Sequence, residues 1–594
     1  MISRCTSMII LENKVQIPVR PQKFILRSRL REILESKITQ SRFALVCTPA
    51  GYGKTTFLAD WARTVSLPVA WLSITGEEQD VESFLRYLFA AWEKVQPEIA
   101  KTSLGILLES NLPDIKAVLS AILNAAGQLP NHLAFVLDDF HLIEDKGIHE
   151  ALAFLIDHLP SNLHFVLAGR SEPPLSLARY RAHHQLLEIR IDDLRCTREE
   201  SAAFLNQSMG FELSSERIDS LHAGTEGWIT GLQLAALTLQ SHPEGSGDNR
   251  LISGQDRFIA DYLAEDVLDR LPVNVQDFLM KTSLLERLCG PLCEAVTGVE
   301  ESQEVLERLE RENLFLVPLD VRREWFRYHQ LFADFLYQEL NKRHPQIVPD
   351  LHRRAARWYL MRDLPEEALH HAIACQDARL VMQIGEQYFE AKLLSGEYRM
   401  LTRWLDSLPK QWQFEYPLIG LSRAGVLLFT GALEDGTRCI DQVEQRLMLE
   451  ESVETRWHLA RVSAIRCTIA CFQNDLAQAR SYATRAFQDL PEDDHTFRAA
   501  IHHALGDTYR RNGRWEESRA SYLKVLDLVH TPAFRIRSVH AFGALADLEL
   551  QQGRLRESAT LWKKALTVIE TREFRGNFPL PLIGWVYLRM GEIL

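Results

Sequence analysis

Phe43-Ala-Leu-Val-Cys47-Thr48-Pro-Ala-Gly51-Tyr-Gly53-Lys54-Thr55-Thr56-Phe-Leu-Ala-Asp-Trp-Ala62 is the stretch that decides the fold. Its first five residues form a short apolar run, the pattern of a buried strand, and Thr55 to Ala62 has helical spacing. A loop with two glycines joins them. A strand, a glycine-bearing loop and a helix opening on Lys-Thr are together the setting a phosphate-binding loop requires. Gly51 and Gly53 allow the backbone to curl so that successive N–H groups point inward. The dipole of the following helix adds partial positive charge at the same place. In this reading Lys54 reaches the β- and γ-phosphates, Thr55 ligates Mg²⁺ and Thr56 adds a phosphate contact. The glycine usual at the loop's first position is Thr48 here.

Downstream, Val69–Ile74, His132–Leu137 and Leu163–Ala168 read as further buried strands, with helical patterns at Val81–Val95 and Asp114–Leu129. Continuous apolar strands separated by helices imply a parallel sheet covered on both faces. The second of these runs, His132–Leu137, leads into Asp138-Asp139. Two carboxylates at the end of an apolar strand are costly unless a cation or water meets them. Asp138 is therefore expected to hold the Mg²⁺ shell, and Asp139 to orient or deprotonate the attacking water. Arg170, in Leu167-Ala-Gly-Arg-Ser, ends the next strand and could form a bidentate contact with a γ-phosphate that ADP cannot offer. No Asn-Lys-x-Asp occurs, which favours ATP over GTP, and no Gly-x-Ser-x-Gly, His-Glu-x-x-His or Rossmann glycine triplet suggests other chemistry.

The 594 residues are too many for one core and predict several domains. A net charge of −13 argues against nucleic acid being gripped by the chain as a whole, because phosphate contacts need concentrated Lys and Arg. There is no apolar run long enough to span a membrane. Nine scattered cysteines include the i, i+4 pairs Cys289/Cys293 and Cys467/Cys471, neither with a second pair to complete a zinc site. The expectation is buried thiols in a reducing compartment, and a cytoplasmic protein.

Beyond Thr197-Arg-Glu-Glu200, which reads as a helix-opening capping box, strand patterns almost vanish. The exception is a short β-like stretch at Leu314–Leu319 and Glu324–Tyr328. Helices flanking one small hairpin suggest a winged-helix module. His329, just after the hairpin, could touch an ADP β-phosphate and latch that module closed; a buried structural histidine is the alternative. Ser241–Asp248, rich in turn formers, reads as a linker. The last third repeats itself: His503-Ala-Leu-Gly-Asp-Thr-Tyr-Arg-Arg-Asn-Gly513-Arg-Trp-Glu-Glu-Ser pairs with Gly543-Ala-Leu-Ala-Asp-Leu-Glu-Leu-Gln-Gln-Gly553-Arg-Leu-Arg-Glu-Ser. Weaker copies place turns near Gly431, Asn474 and Gly591. The period exceeds the roughly 34 residues of the common tetratricopeptide unit, so longer-helix hairpins stacked as a solenoid are expected. The final unit stops just past its expected turn, which points to a truncated product or fragment.

These motifs, with Leu187-Glu-Ile-Arg190, Thr225-Glu-Gly-Trp-Ile-Thr-Gly-Leu-Gln-Leu-Ala-Ala236 and Trp325-Phe-Arg-Tyr-His-Gln-Leu-Phe332, resemble the MalT/LuxR-type signal-transduction ATPases with numerous domains (STAND) over nearly the whole chain. Thr48 falls within that family's variation. The resemblance implies an arm at 1–40, a P-loop NTPase domain at 41–195, a helical subdomain at 196–250 and a winged helix at 255–345. Connecting helices at 346–410 and a TPR-like solenoid at 411–594 complete it. It implies a resting ADP-bound monomer that an inducer on the solenoid, together with ATP and Mg²⁺, converts into an open homo-oligomer with slow ATP hydrolysis. It makes His329 the ADP latch and sets Arg27 and Arg29, in Leu26-Arg-Ser-Arg-Leu30, near the adenine. Family members usually end in a DNA-binding helix-turn-helix, which this chain does not include. The competing expectation is a protein-interaction scaffold that nucleotide merely stabilises.

Overall fold

The computed structural model describes residues 10–76, 80–97, 115–241, 253–394, 396–449, 452–528, 535–570 and 580–593. They fall into two compact units, residues 1–348 and 349–594.

The first unit is built on five parallel strands: β1 Phe43–Cys47, β2 Val69–Ser73, β3 Leu133–Asp138, β4 Leu163–Gly169 and β5 Leu186–Ile189. They lie in the order β2-β3-β4-β1-β5. Every residue of β1, β3 and β4 is buried, which explains their continuous apolar sequences. Helices Lys54–Thr64, Val81–Glu93, Ile115–Gly127 and Lys146–Asp157 cross between strands. Two start on aspartate caps: Ser83 N–H donates to Asp80 at 2.7 Å and Ile148 N–H to Asp145 at 2.9 Å. Phe135 anchors the core between Phe165, stacked at 5.4 Å, and Trp92, edge-on at 5.8 Å. Strand β5 escaped the sequence reading because its four residues, Leu-Leu-Glu-Ile, bury only alternate positions.

Register fixes the functional edge. Cys47 pairs with Gly169, Leu137 with Leu167, and Ser73 with Asp138. The residues that follow, Thr48, Asp139 and Arg170, therefore leave the sheet together at its carboxyl end.

The capping box is present, with Glu200 N–H on Thr197 at 3.2 Å and the return bond at 3.0 Å. Helices Ser215–Thr225 and Ile229–Ser241 follow. All but the first residue of the expected linker at 241–248 lies outside the described residues. The winged module then runs from helix Arg257–Asp266 to helix Gln330–Arg343 around the antiparallel hairpin β6 Leu316–Pro318 and β7 Phe326–Tyr328.

The second unit is helical. Its hairpins pair Pro417–Phe429 with Leu433–Leu447, Val453–Phe472 with Leu476–Asp489, His495–Arg511 with Trp515–Leu528, and Arg535–Gln551 with Leu555–Ile569. Each turn passes through a left-handed residue: Gly431, Asn474, Gly513 and Gly553, with φ of 89°, 59°, 70° and 77°. Small residues on one helix accept large ones from its partner. A Cβ on Gly506 would meet the Tyr522 ring at 2.9 Å, and one on Gly543 would meet Trp562 at 2.8 Å. The turn expected at Gly591 is absent. Helix Leu580–Ile593 runs straight through it, because a lone glycine costs a helix only about 1 kcal/mol and nothing there requires left-handed backbone.

Candidate nucleotide-binding site

Between Cys47 and helix Lys54–Thr64 the chain turns through left-handed Gly51, φ 75°, and Gly53, φ 82°, the latter capping the helix. Lys54 is buried, and its ammonium donates to the loop's own carbonyls, Thr48 at 2.8 Å and Pro49 at 2.9 Å. Burial pulls its pKa down to about 8, against the nearby Asp139 carboxylate. A phosphate chain would supply the counter-charge that those carbonyls only approximate. Thr55 and Thr56 occupy the first turn of this helix, half-buried.

Asp138 ends β3 at 2% exposure. Burial, reinforced by the Asp139 charge, raises its carboxyl to about 6, with a hydrogen bond from Thr55 opposing. Its Oδ1 has no hydrogen-bond partner among the described residues. A buried, unsatisfied carboxylate oxygen beside a threonine hydroxyl is a hard-oxygen donor pair. It fits Mg²⁺, which takes one or two protein oxygens and completes its shell with phosphate and water. No cluster of three or more His, Cys, Asp or Glu side chains suited to a metal occurs among the described residues, so a self-sufficient protein cage is not what the site offers.

Asp139 follows in left-handed backbone, φ 56°, which swings its carboxylate away from Asp138 into solvent. It faces a cleft of ≈ 370 Å³ lined by Ala50, Asp139, His141, Arg170, Arg270 and Phe315. Arg170 donates to the Asp266 carbonyl at 3.3 Å, so its guanidinium bridges the sheet edge to the winged module. His141 had no role in the sequence reading. Its Nδ1 sits 3.8 Å from Asp139 Oδ1, and burial holds its pKa down near 4, leaving a neutral ring at the cleft.

The loop is gripped from outside by parts of the chain far along the sequence. Trp228 Nε1 donates to the Ala50 carbonyl at 3.0 Å, and Thr230 donates to Gly51 O through its hydroxyl at 2.8 Å and its amide at 3.2 Å. Trp228 in turn meets Phe315 edge-on at 5.4 Å and His329 at 6.0 Å. His329 is 1% exposed and donates Nε2–H to the Thr225 carbonyl at 3.0 Å; its Nδ1 has no partner among the described residues. Asn313 donates to the Arg170 carbonyl at 2.8 Å. Asn313 and Phe315 both take positive φ, 52° and 54°, a conformation that a bulky residue such as phenylalanine holds only under constraint. Arg327 forms a bidentate pair with Glu226 at 2.7 and 2.8 Å. Burial alone would raise the Glu226 carboxyl, but Arg327, with help from His329, overrides it and holds it near 2.

The amino-terminal arginines lie against the helices after β5. Arg27 donates to Leu194 O at 2.7 Å and approaches Glu200 at 3.6 Å; Arg29 donates to Asp193 O at 2.6 Å. In this arrangement their donors serve protein carbonyls.

Two family models match the chain: the MalT winged helix domain at residues 264–348 and the MalT-like TPR region at 460–594. The HTH-type transcriptional regulator MalT of Serratia proteamaculans is 30% identical over 94% of this chain and 62% of its own length. MalT of Klebsiella pneumoniae strain 342 is 29% identical over 86% of this chain and 56% of its own length. The chain thus spans roughly three-fifths of these curated relatives. Among solved structures, a signal transduction ATPase with numerous domains carrying a tetratricopeptide repeat sensor, from Pyrococcus horikoshii, aligns at 15% identity over 97% of this chain and 80% of that one, with a TM-score of 0.48.

Proposed function

The chain is a MalT-like protein, and from that premise we propose that it works as a switch set by bound adenine nucleotide. Lys54 and the amides of Gly51 and Gly53 hold the phosphates, Thr55 and Asp138 hold Mg²⁺, and Thr56 adds a phosphate contact. Asp139 positions water and Arg170 answers γ-phosphate charge in a slow hydrolysis that resets the switch. His329 keeps the winged module closed over ADP, and Arg27 and Arg29 border the adenine.

The observation that carries this reading is the grip on the phosphate loop. Trp228 and Thr230 hold two of its carbonyls, and Asn313 and Phe315 of the winged module pack against it in strained backbone. Any change in what the loop holds is felt directly by the module that would have to move. A catalyst that only turned over nucleotide would not need that coupling.

In the cell the switch is cytoplasmic, takes an inducer on its helical second unit and self-associates in the ATP state. It acts on DNA through a helix-turn-helix. Turning a 1:99 population into 99:1 requires about 5.5 kcal/mol of differential binding, which nucleotide and inducer share. In calorimetry, Lys54→Ala should abolish ATP binding. In size exclusion it should abolish ATP-driven assembly too, and assembly persisting in that variant would refute the mechanism. Elution identical with ATP, ADP and no nucleotide would instead identify a scaffold that nucleotide only stabilises.

A further inference from the structure

The second unit holds a partly open pocket of its own, of ≈ 60 Å³. Helices Ala378–Leu394, Pro417–Phe429, Val453–Phe472, His495–Arg511 and Arg535–Gln551 bound it. Its wall is almost all carbon, from Leu393, Leu418, Leu428, Phe429, Ile465 and Phe497. Three charged side chains reach it: Glu390, Arg461 and Arg537.

They are not equivalent. Arg461 is already satisfied. Its Nε donates to Asp494 at 3.0 Å, and its guanidinium lies 3.9 Å from the Trp457 ring centre and 4.8 Å from that of Phe497. Glu390 forms a long ion pair with Arg461 at 3.8 Å, too far for a hydrogen bond, so its carboxylate oxygens can still accept from a donor. Arg537 has no hydrogen bond or ion pair to any described residue. Burial drops its pKa to about 10, with Tyr398 and Glu390 opposing. The pocket therefore presents an anion held only by one long ion pair and a cation with no hydrogen bond or ion pair to a described residue, over an apolar wall.

We propose that this pocket binds a free α-amino acid with an apolar side chain, its carboxylate on Arg537, its ammonium on Glu390 and its side chain against the leucine, isoleucine and phenylalanine wall. A simple carboxylate would be repelled by Glu390, and a simple amine by Arg537. A sugar would bury hydroxyls against carbon with few partners, at a cost of several kcal/mol. A zwitterion alone satisfies both charges while filling the apolar space. As the identity of the inducer, the proposal rests on the switch reading above; as a binding site, it does not.

The test is isothermal calorimetry on the full chain with L-leucine, L-isoleucine and L-phenylalanine. Two truncated leucines, 4-methylpentanoate and 3-methylbutylamine, are run beside them. At least one amino acid should bind, and each truncated leucine should bind at least about tenfold more weakly than leucine, since removing either charge forfeits a charge-assisted hydrogen bond. Glu390→Gln and Arg537→Gln should each lose about tenfold in amino-acid affinity while ADP affinity stays unchanged. The site is overturned if none of the three binds at millimolar concentration, if 4-methylpentanoate matches leucine, or if both variants bind as the parent does. Lys54→Ala should retain amino-acid binding, which separates failure of the pocket from failure of the switch. Leucine that binds but leaves ATP-driven assembly unchanged overturns the inducer role and leaves the site standing.

Discussion

Asp138 and Lys54 lie near enough to influence each other's charge, and burial pushes both toward neutrality, the carboxyl up to about 6 and the ammonium down to about 8. In the proposed function, binding of Mg²⁺ and phosphate requires the charged forms of both. Below about pH 6 protons compete with the metal at Asp138, and above about pH 8 Lys54 must regain a proton to bind. Affinity for Mg·ATP should therefore be bell-shaped with limbs near these two values, measured by calorimetry from pH 5 to 9, and a flat profile would contradict the assignment. The same burial has a consequence for stability. A carboxyl whose folded pKa is raised favours the native state most below its ordinary 3.8, and that advantage is lost as pH rises through about 6. At pH 7.5 the ligand-free protein thus bears a cost of ~2–3 kcal/mol at this one residue. Asp138→Asn should melt higher than the parent without nucleotide at pH 7.5, show no such advantage near pH 4, and lose the Mg²⁺ dependence of binding.

Single contacts act on function only through the elements they join. The hairpin of β6 and β7 leads into His329 and helix Gln330–Arg343, and its Arg327 reaches back to Glu226 at the end of helix Ser215–Thr225. Glu226 also accepts the amide of Gln330 at 3.1 Å. One carboxylate thus pins the winged module to the segment whose Trp228 grips the phosphate loop. Glu226→Gln keeps the shape and removes the charge, which should weaken the closed arrangement by about 2 kcal/mol, or about thirtyfold in the open-to-closed ratio. Size exclusion should then show assembly at lower ATP concentration than in the parent. Unchanged assembly would mean that this pair is not part of the latch.

On the scale of the whole molecule, the two units at 1–348 and 349–594 carry separate cores. One is aromatic and aliphatic around the sheet, with Phe135, Phe165 and Trp92 at its centre; the other is a series of small-residue seams such as Ala460, Ala464, Cys467 and Ala470 against Ala479 and Ala483. Ligand that binds only the native form of one unit stabilises that unit by mass action. Calorimetric unfolding of the intact chain should show two transitions, of which ADP raises only one, by an amount that grows with ADP concentration. A single transition that moves as a whole would show that the two units unfold as one.

The sequence alone determined the parts that follow from local periodicity. Strands buried on both faces must be apolar throughout, so β1, β3 and β4 were legible as runs, and the glycine-bent loop after β1 followed from where one such run ends. The left-handed turns at Asn474, Gly513 and Gly553 were legible because a helix hairpin needs a breaker at a fixed interval. Strand β5 was not, since four half-buried residues carry too short a pattern, and neither was the unbroken helix through Gly591, where a tolerated glycine looks like a required one. Tertiary structure decided the rest: Trp228 and Thr230 on the loop carbonyls, Asn313 and Phe315 in strained backbone against it, Glu226 paired with Arg327, and Glu390 facing Arg537 without touching. These pairings join residues separated by up to 266 positions, as Asn313 to Cys47. No periodicity links such partners, because what brings them together is where whole elements pack, and only the folded chain holds that information.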